Sequence, residues 1–271
     1  MDLKFSVLIS VYYKENPFFL SQAIKSIWNE QTIKPTQIIL ICDGFLGEAL
    51  DNQIELLKEK ISVLEVYGYN DNKGLGYALN FGLEKCSNEL VFRMDADDIC
   101  VSNRFELQLN YLKLENIVIV GSDIKEFDQK PGDLSQFRVV PKTNKEIALQ
   151  KNKKNPFNHM TVGFKKSLIQ SVGGYKDMPG YEDYYLWLRV LKYYKGMNID
   201  EYLVHARVGN NMIERRVGWE FFNKEIRFQR ALRKARLINN LEFARNFILR
   251  CLPRCLPPFL LKTIYKFYLR K

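Results

Sequence analysis

Apolar residues in this chain come in short blocks that alternate with stretches of helical period. Residues 5–11, Phe-Ser-Val-Leu-Ile-Ser-Val, have the density of a buried strand. Asn16-Pro17 then caps and opens a helix with Leu20, Ile24, Ile27 and Trp28 on one face. Residues 37–42 are a second strand ending in Asp43-Gly44, 48–60 a helix, and 62–67 a third strand. A polar turn at 70–74 leads into a helix through Ala78, Leu79 and Leu83, and 90–94 is a fourth strand. This alternation predicts βαβ units and a parallel sheet, an α/β fold. Further on the pattern predicts a helix at 103–114, a strand at 117–121, loops at 128–142 and 151–156, an extended segment at 159–164, a turn at Gly173-Gly174 and a helix at 182–194.

From about residue 216 the pattern changes. Val217, Phe221, Phe228, Leu232 and Ala235 recur at near-helical intervals with arginines between them. Pro253, Pro257 and Pro258 interrupt, and 259–271 sets Leu260, Leu261, Ile264, Tyr265 and Tyr268 on one face and Lys262, Lys266 and Arg270 on another. A short amphipathic helix with a cationic stripe suits a membrane interface; a helix docked on the rest of the protein with a solvated basic face is the other reading. The chain is therefore read as an α/β domain at 1–215 and a basic helical extension at 216–271.

Charge sharpens this division. The formal charge is +10 over 271 residues, but residues 215–271 hold 15 basic and 3 acidic residues, against 26 and 28 before them. The tail, not the core, should seek anionic partners. No stretch reaches the roughly 18 apolar residues of a membrane span, and no signal-peptide cleavage site follows the first strand. Five scattered cysteines suit reduced thiols in a cytosol, and Cys251 and Cys255 have no histidine near them to complete a zinc site.

The densest chemistry lies at Leu90–Asp98, where a strand runs into Asp95, Asp97 and Asp98. Hard divalent cations take carboxylate oxygens, and ligands of α/β sheets bind at the carboxyl ends of strands. On the triplet alone, a cation site and a solvated turn stand level. Glu182-Asp183 likewise read, by themselves, as acids favoured at a helix N-terminus.

Taken together, the first strand running into Tyr12 and Lys14-Glu15, Asp43-Gly44, Asn72-Lys73-Gly74, Arg93-Met-Asp-Ala-Asp-Asp and Glu182-Asp183 resemble, in order and spacing, the family-two glycosyltransferases of the GT-A fold. The likeness covers about residues 5–207 and is to bacterial enzymes of O-antigen and exopolysaccharide assembly. It implies a mixed, mostly parallel sheet flanked by helices, an inverting transfer, and a nucleotide-diphosphate sugar donor, UDP-hexose or UDP-N-acetylhexosamine. It implies a divalent metal, Mn²⁺ or Mg²⁺, on Asp97 with Asp95, and Asp183 as general base. For the donor nucleotide it implies Val11, Tyr12, Glu15, Asp43, Asn72, Gly74, Arg93, Asp95 and Ala96. Cys42 stands where many relatives carry a first acid before Asp43. His159, Glu182, Trp187, His205 and Arg207 are candidates for acceptor or diphosphate contacts, the last two from a flexible loop hinged at Gly209-Asn210-Asn211. Arg93 reads equally as a structural ion pair, His159 as a structural histidine, and Trp187 by its spacing as core.

The implied acceptor is a saccharide on a polyprenyl diphosphate, with the protein peripheral on the cytoplasmic face of the cell membrane, held to anionic lipid by its tail. Two other readings compete. A nucleotidyltransferase lacks a Gly-rich phosphate loop here, and a nucleic-acid-binding protein using the basic tail leaves the aspartates without a role; no nucleic acid partner is expected.

Overall fold

The computed structural model describes residues 4–208 and 218–255. The helix expected at 259–271 and the hinge at 209–211 lie outside the described residues. The chain divides into two compact units, Met1–Asp177 with Glu182–Arg207, and Met178–Tyr181 with Val208–Lys271.

The first unit runs β1 (Phe5–Val11), α1 (Pro17–Trp28), β2 (Gln37–Asp43), α2 (Glu48–Lys60), β3 (Leu64–Tyr69), α3 (Leu75–Lys85), β4 (Leu90–Met94), β5 (Ile99–Cys100), α4 (Arg104–Leu112), β6 (Ile117–Phe127), β7 (Gln136–Arg138), α5 (Asn144–Gln150), a 3₁₀ turn at His159–Thr161, β8 (Gly163–Lys165), α6 (Lys166–Ser171), α7 (Glu182–Val190) and β9 (Lys195–Arg207). The strands form one sheet in the order β3-β2-β1-β4-β8-β6-β9-β5, with β7 beside β6. Strands β1 to β4 pair in parallel, so their carboxyl ends share one edge. Strand β8 is antiparallel to both β4 and β6, which restores the direction of β6 and β9. The chain leaves β1 for β2 on one side and returns to β4 on the other. That reversal opens a crevice beyond Val11 and Met94, where a ligand finds backbone ends rather than side-chain cover.

Period-two alternation divides the core between the sheet's faces. Val7, Ile9 and Val11 join Leu20, Ile24 and Ile27 of α1 and Phe105 and Leu109 of α4 in one cluster. Leu8, Ile39 and Ile41 join Ala78, Leu79 and Leu83 of α3 and Leu186, Trp187 and Val190 of α7 in the other. Helix α3 rests on the sheet at Gly82, where any Cβ would run into Leu8 and Ile41. The Asn16 side chain accepts from Phe18 N at 2.8 Å with Pro17 at the first helical position, starting α1 as expected.

In the second unit, α8 (Trp219–Lys234) and α9 (Asn240–Asn246) lead into a π turn at Phe247–Cys251 and a 3₁₀ turn at Leu252–Cys255. Glu225 is buried, paired with Arg250 at 2.9 Å, and accepts from the Tyr181 hydroxyl at 2.5 Å. The Tyr181 ring stacks on Phe228, centroids 4.5 Å apart. Arg227, Arg230 and Arg233 are exposed, so most of the positive charge of α8 faces solvent.

Several elements depart from the sequence expectation. Strand β6 runs six residues past 121, and β9, α5 and α6 lie where no element was expected. Strand β9 carries Asp200 and Glu201 in mid-course and pairs with β6 through register shifts there. A bulged strand with charged residues at its bend has no clean alternation to read. His205 and Arg207 consequently stand on β9, opposite Lys125 and Phe127, and not on a flexible loop. Substituting Gly82→Val should push α3 off the sheet and cost roughly 1–3 kcal/mol. The expected result is a lower urea midpoint with an unchanged slope.

Candidate functional site

Strand β4 ends at Met94, and the next four residues turn across the crevice. One oxygen each of Asp95, Asp97 and Asp98 can be chosen so that all lie within 4.8 Å of one another. Asp95 is paired with the Nη2 of Arg93, a guanidinium almost wholly buried behind it. Asp98 is buried; its Oδ1 accepts from Arg207 N at 2.8 Å, and its Oδ2 has no hydrogen-bond partner among the described residues. Asp97 is half-buried. Burial, then the charges of Asp95 and Glu15, push its carboxyl up to about 7. The same crowding drives Asp98 well above the ordinary carboxylate range. Carboxylates that resist ionisation beside one another, one with an orphaned oxygen, fit a hard divalent cation. Asp97, with Asp95 and Asp98, would hold it. The triplet is a candidate cation site from its residues; the resemblance implies Asp97 with Asp95 as ligands, and the geometry sets Asp98 beside them.

Asp43 ends β2, buried. Its Oδ1 accepts from the Tyr69 hydroxyl at 2.9 Å and from Lys73 N at 2.8 Å, and its Oδ2 from Gly74 N at 3.0 Å. Asn72 returns a bond to the Asp43 carbonyl at 3.0 Å. Gly44, with φ +86°, lets the backbone of Asn72 approach to 2.6 Å from where a Cβ would stand. Asp43 thus ties the Asn72-Lys73-Gly74 turn to the crevice and keeps about one acceptor position for a ligand. Val11 is buried at the end of β1, Tyr12 stands exposed just past it, and Ala96 is buried between Asp95 and Asp97. Glu15 accepts from Asn16 N at 2.9 Å; burial first, and Asp95 among its neighbours, raises its pKa.

A second acid approaches from α7. Asp183 Oδ2 accepts from Asn155 Nδ2 at 2.6 Å. Burial raises its pKa, while that hydrogen bond, the Tyr184 N–H and the charges of Arg93 and Arg138 draw it back. Glu182 lies along α3: its Cγ is 3.3 Å from the Cβ position of Gly76. Below Asp183, His159 Nε2 lies 2.9 Å from the Tyr175 hydroxyl, and burial, with Arg93 adding, holds the imidazole pKa well down, so it is neutral. Asn155 and Tyr175 carried no signal in the sequence, each being an ordinary residue in a loop.

Three further candidates are held by contacts within the protein. Trp187 is 0 % exposed, its ring packed among Phe157, His159, Phe164 and Tyr175, so it is core and not acceptor floor. His205 pairs with Ile99 and packs on Phe127. Arg207 donates to the Asp97 carbonyl at 3.1 Å, the Asp128 carbonyl at 2.9 Å and Gln22 Oε1 at 3.0 Å, and lies over the Phe19 ring. It clasps the acidic turn from the protein side.

Comparison with known proteins shows the family. The family described as Glycosyl transferase family 2 matches residues 6–173. The chain is 38% identical over 99% of its length to an Escherichia coli UDP-Gal:alpha-D-GlcNAc-diphosphoundecaprenol beta-1,3-galactosyltransferase, covering 97% of it. It is 34% identical over 97% of its length to the Amylovoran biosynthesis glycosyltransferase AmsE of Erwinia amylovora, covering 98% of that protein. Among solved structures, S. aureus TarS superposes with a TM-score of 0.65 at 15% identity over 99% of this chain, which spans 44% of that longer protein. That last likeness concerns the fold.

Asp97 holds its proton to about pH 7 in the folded chain, against an ordinary 3.8. The folded state therefore binds more protons than the unfolded one between these values and loses stability as pH rises through them. In chelator, the melting temperature should fall over that window. Mn²⁺ should raise it more at about pH 7.5 than at about pH 5.5, because protons and cation compete for the same oxygens. Equal Mn²⁺ shifts at both pH values would take Asp97 out of the cation site.

Proposed function

The chain belongs to glycosyl transferase family 2, and from that premise we propose that it moves a sugar, with inversion, from a UDP-hexose or UDP-N-acetylhexosamine to a hydroxyl of a saccharide carried on a polyprenyl diphosphate. The product would be a repeat of a bacterial surface polysaccharide. The name of the E. coli relative supports both the donor class and the lipid-linked acceptor.

The observation that carries the chemistry is one buried cation shared by two acid sites. Arg93 pairs with Asp95 on the crevice side, and its charge also acts on Asp183. The acceptor hydroxyl attacks the anomeric carbon opposite the diphosphate; the new C–O bond forms as the bond to phosphate breaks. Asp183 takes the hydroxyl proton. Burial lifts its proton affinity toward the working pH, where a general base is most effective, and Asn155 fixes which oxygen faces the incoming alcohol. A divalent ion held by Asp97 with Asp95 and Asp98 would supply positive charge beside the departing diphosphate. Asp43, with the turn it anchors and the exposed ring of Tyr12, would take the nucleoside, and Glu15 would lie beside it.

The basic extension is proposed to keep the enzyme on the anionic cytoplasmic face of the membrane, at about 1 kcal/mol per near-surface Lys or Arg. Among the described residues no helix is long and apolar enough to cross a bilayer.

Two experiments test these readings. Asp183→Asn should lower transfer by about 10²–10⁴-fold, while UDP-sugar with Mn²⁺ still raises the melting temperature; near-normal turnover would remove Asp183 from the base role. Deleting residues 259–271 should release the protein from membrane pellets while leaving donor hydrolysis intact, and continued sedimentation would end the anchoring idea.

A further inference from the structure

Tyr181 stands where the chain changes unit. Residues 178–181 belong to the second unit, while Asp177 before them and Glu182 after them belong to the first. Asp183 therefore follows, by two residues, a tyrosine that the helical extension holds.

That hold has an apolar and a polar part. The Tyr181 ring lies flat on Phe228 of α8, 7° from parallel with centroids 4.5 Å apart, and Phe221 of the same helix lies at 6.0 Å. The hydroxyl donates to Glu225 Oε2 at 2.5 Å. Glu225 is fully buried, yet its pKa lies below the ordinary value: burial raises it, and Arg250, the Tyr181 hydroxyl, Gln229 and Arg254 together outweigh that. Its other oxygen, Oε1, accepts from Arg250 Nε and from Gln229 Nε2, both at 2.9 Å. Gln229 Oε1 in turn accepts from Asn246 Nδ2 at 3.0 Å. One network ties Tyr181 to α8, to the end of α9 and to the π turn that carries Arg250.

A buried ion pair with its polar partners costs desolvation that apolar packing avoids, and what such groups secure is register. Adhesion to a lipid surface calls for no register at Tyr181. Helix α7 begins at Glu182, so Tyr181 is the residue that hands the chain to it. Asn155 sets the rotation of the Asp183 carboxylate by a bond of 2.6 Å. Where the Asp183 backbone stands depends instead on where α7 starts. A general base must come within about 3 Å of the proton it takes, so both settings matter.

We propose that Tyr181 is a positioning residue for transfer: Glu225 and Phe228 hold it, it fixes the start of α7, and Asp183 is thereby set for the acceptor hydroxyl. The helical extension then serves the chemistry as well as the membrane. This rests on the glycosyl-transfer reading above, in which Asp183 is the base.

The test uses the full-length protein, a UDP-hexose and a hexosaminyl diphosphate bearing an alkyl chain. Rates are expressed per UDP-binding site, titrated with Mn²⁺ by calorimetry, so that unfolded protein does not count. Tyr181→Phe keeps the stacked ring and leaves Glu225 its bonds to Arg250 and Gln229. Its kcat per site should fall about ten- to a hundredfold, the scale of an ångström-sized misplacement. The KM for the UDP-sugar and the affinity for UDP with Mn²⁺ should stay as in wild type. Phe228→Leu, which removes the stack instead, should give the same pattern. The deciding measurement combines each variant with Asp183→Asn. With the base gone, there is nothing left to position, so each double variant should match Asp183→Asn within about twofold. Wild-type kcat per site in both single variants would overturn the proposal. The same factor lost again in the Asp183→Asn background would also overturn it, since a merely structural role multiplies through. So would losses of transfer that only follow losses of UDP sites. If Asp183→Asn itself transfers normally, the base reading fails and takes this inference with it; if Asp183→Asn is impaired and Tyr181→Phe and Phe228→Leu are not, this inference fails alone.

Discussion

Three carboxylates crowded at the mouth of a buried strand are the constraint around which this structure is arranged. At the 4.8 Å that encloses one oxygen from each of Asp95, Asp97 and Asp98, two like charges repel by about 3 kcal/mol at an effective dielectric constant of 20. The fold answers with cations placed behind the turn. Arg93 takes Asp95 from below, and Arg207 holds the Asp97 carbonyl and, through its backbone N–H, Asp98. Arg104, fully buried, donates to the Arg93 carbonyl at 2.8 Å and so braces the strand that delivers the acids. Burial and the mutual repulsion that remains raise the proton affinity of Asp97 and Asp98 on that turn.

The opposite half of the crevice is built by one carboxylate used twice. Asp43 ends β2 and also accepts the N–H groups of Lys73 and Gly74 that would otherwise be orphaned at the start of α3. The turn at Asn72-Lys73-Gly74 is thereby locked to the end of β2. Gly82, one face of α3 against Leu8 and Ile41, sets how deep the helix lies and hence where that turn sits.

Identical chemical groups serve different ends here because their surroundings differ. Asp97 is pushed up mainly by burial and by other acids, which a divalent ion would relieve. Asp183 is pushed up by burial but drawn back by the Asn155 amide, the Tyr184 N–H and two guanidinium groups. Arg93 acts on both, so the two ends of the site are electrically linked through a residue that never meets solvent. The neutral His159 and the ring of Trp187 line the dry side of that link.

The first four strands, their helices and the acidic turn were legible in the chain, because burial on both faces of a parallel sheet writes itself as continuous apolar blocks and helices as period 3.6. Strand β9 was not, since its pairing with β6 tolerates bulges and charged residues that erase the alternation. The sequence by itself determined where the acids fall and which residues could form the sheet's ligand-facing edge. Only the tertiary structure decided that Asp183 and not Glu182 turns to Asn155, 28 residues away, that Trp187 goes inward, and that Arg207 clasps Asp97 across 110 residues. Local patterns record what a residue's immediate neighbours bury; partners brought together by loop closure leave no mark on the stretch in which each one sits.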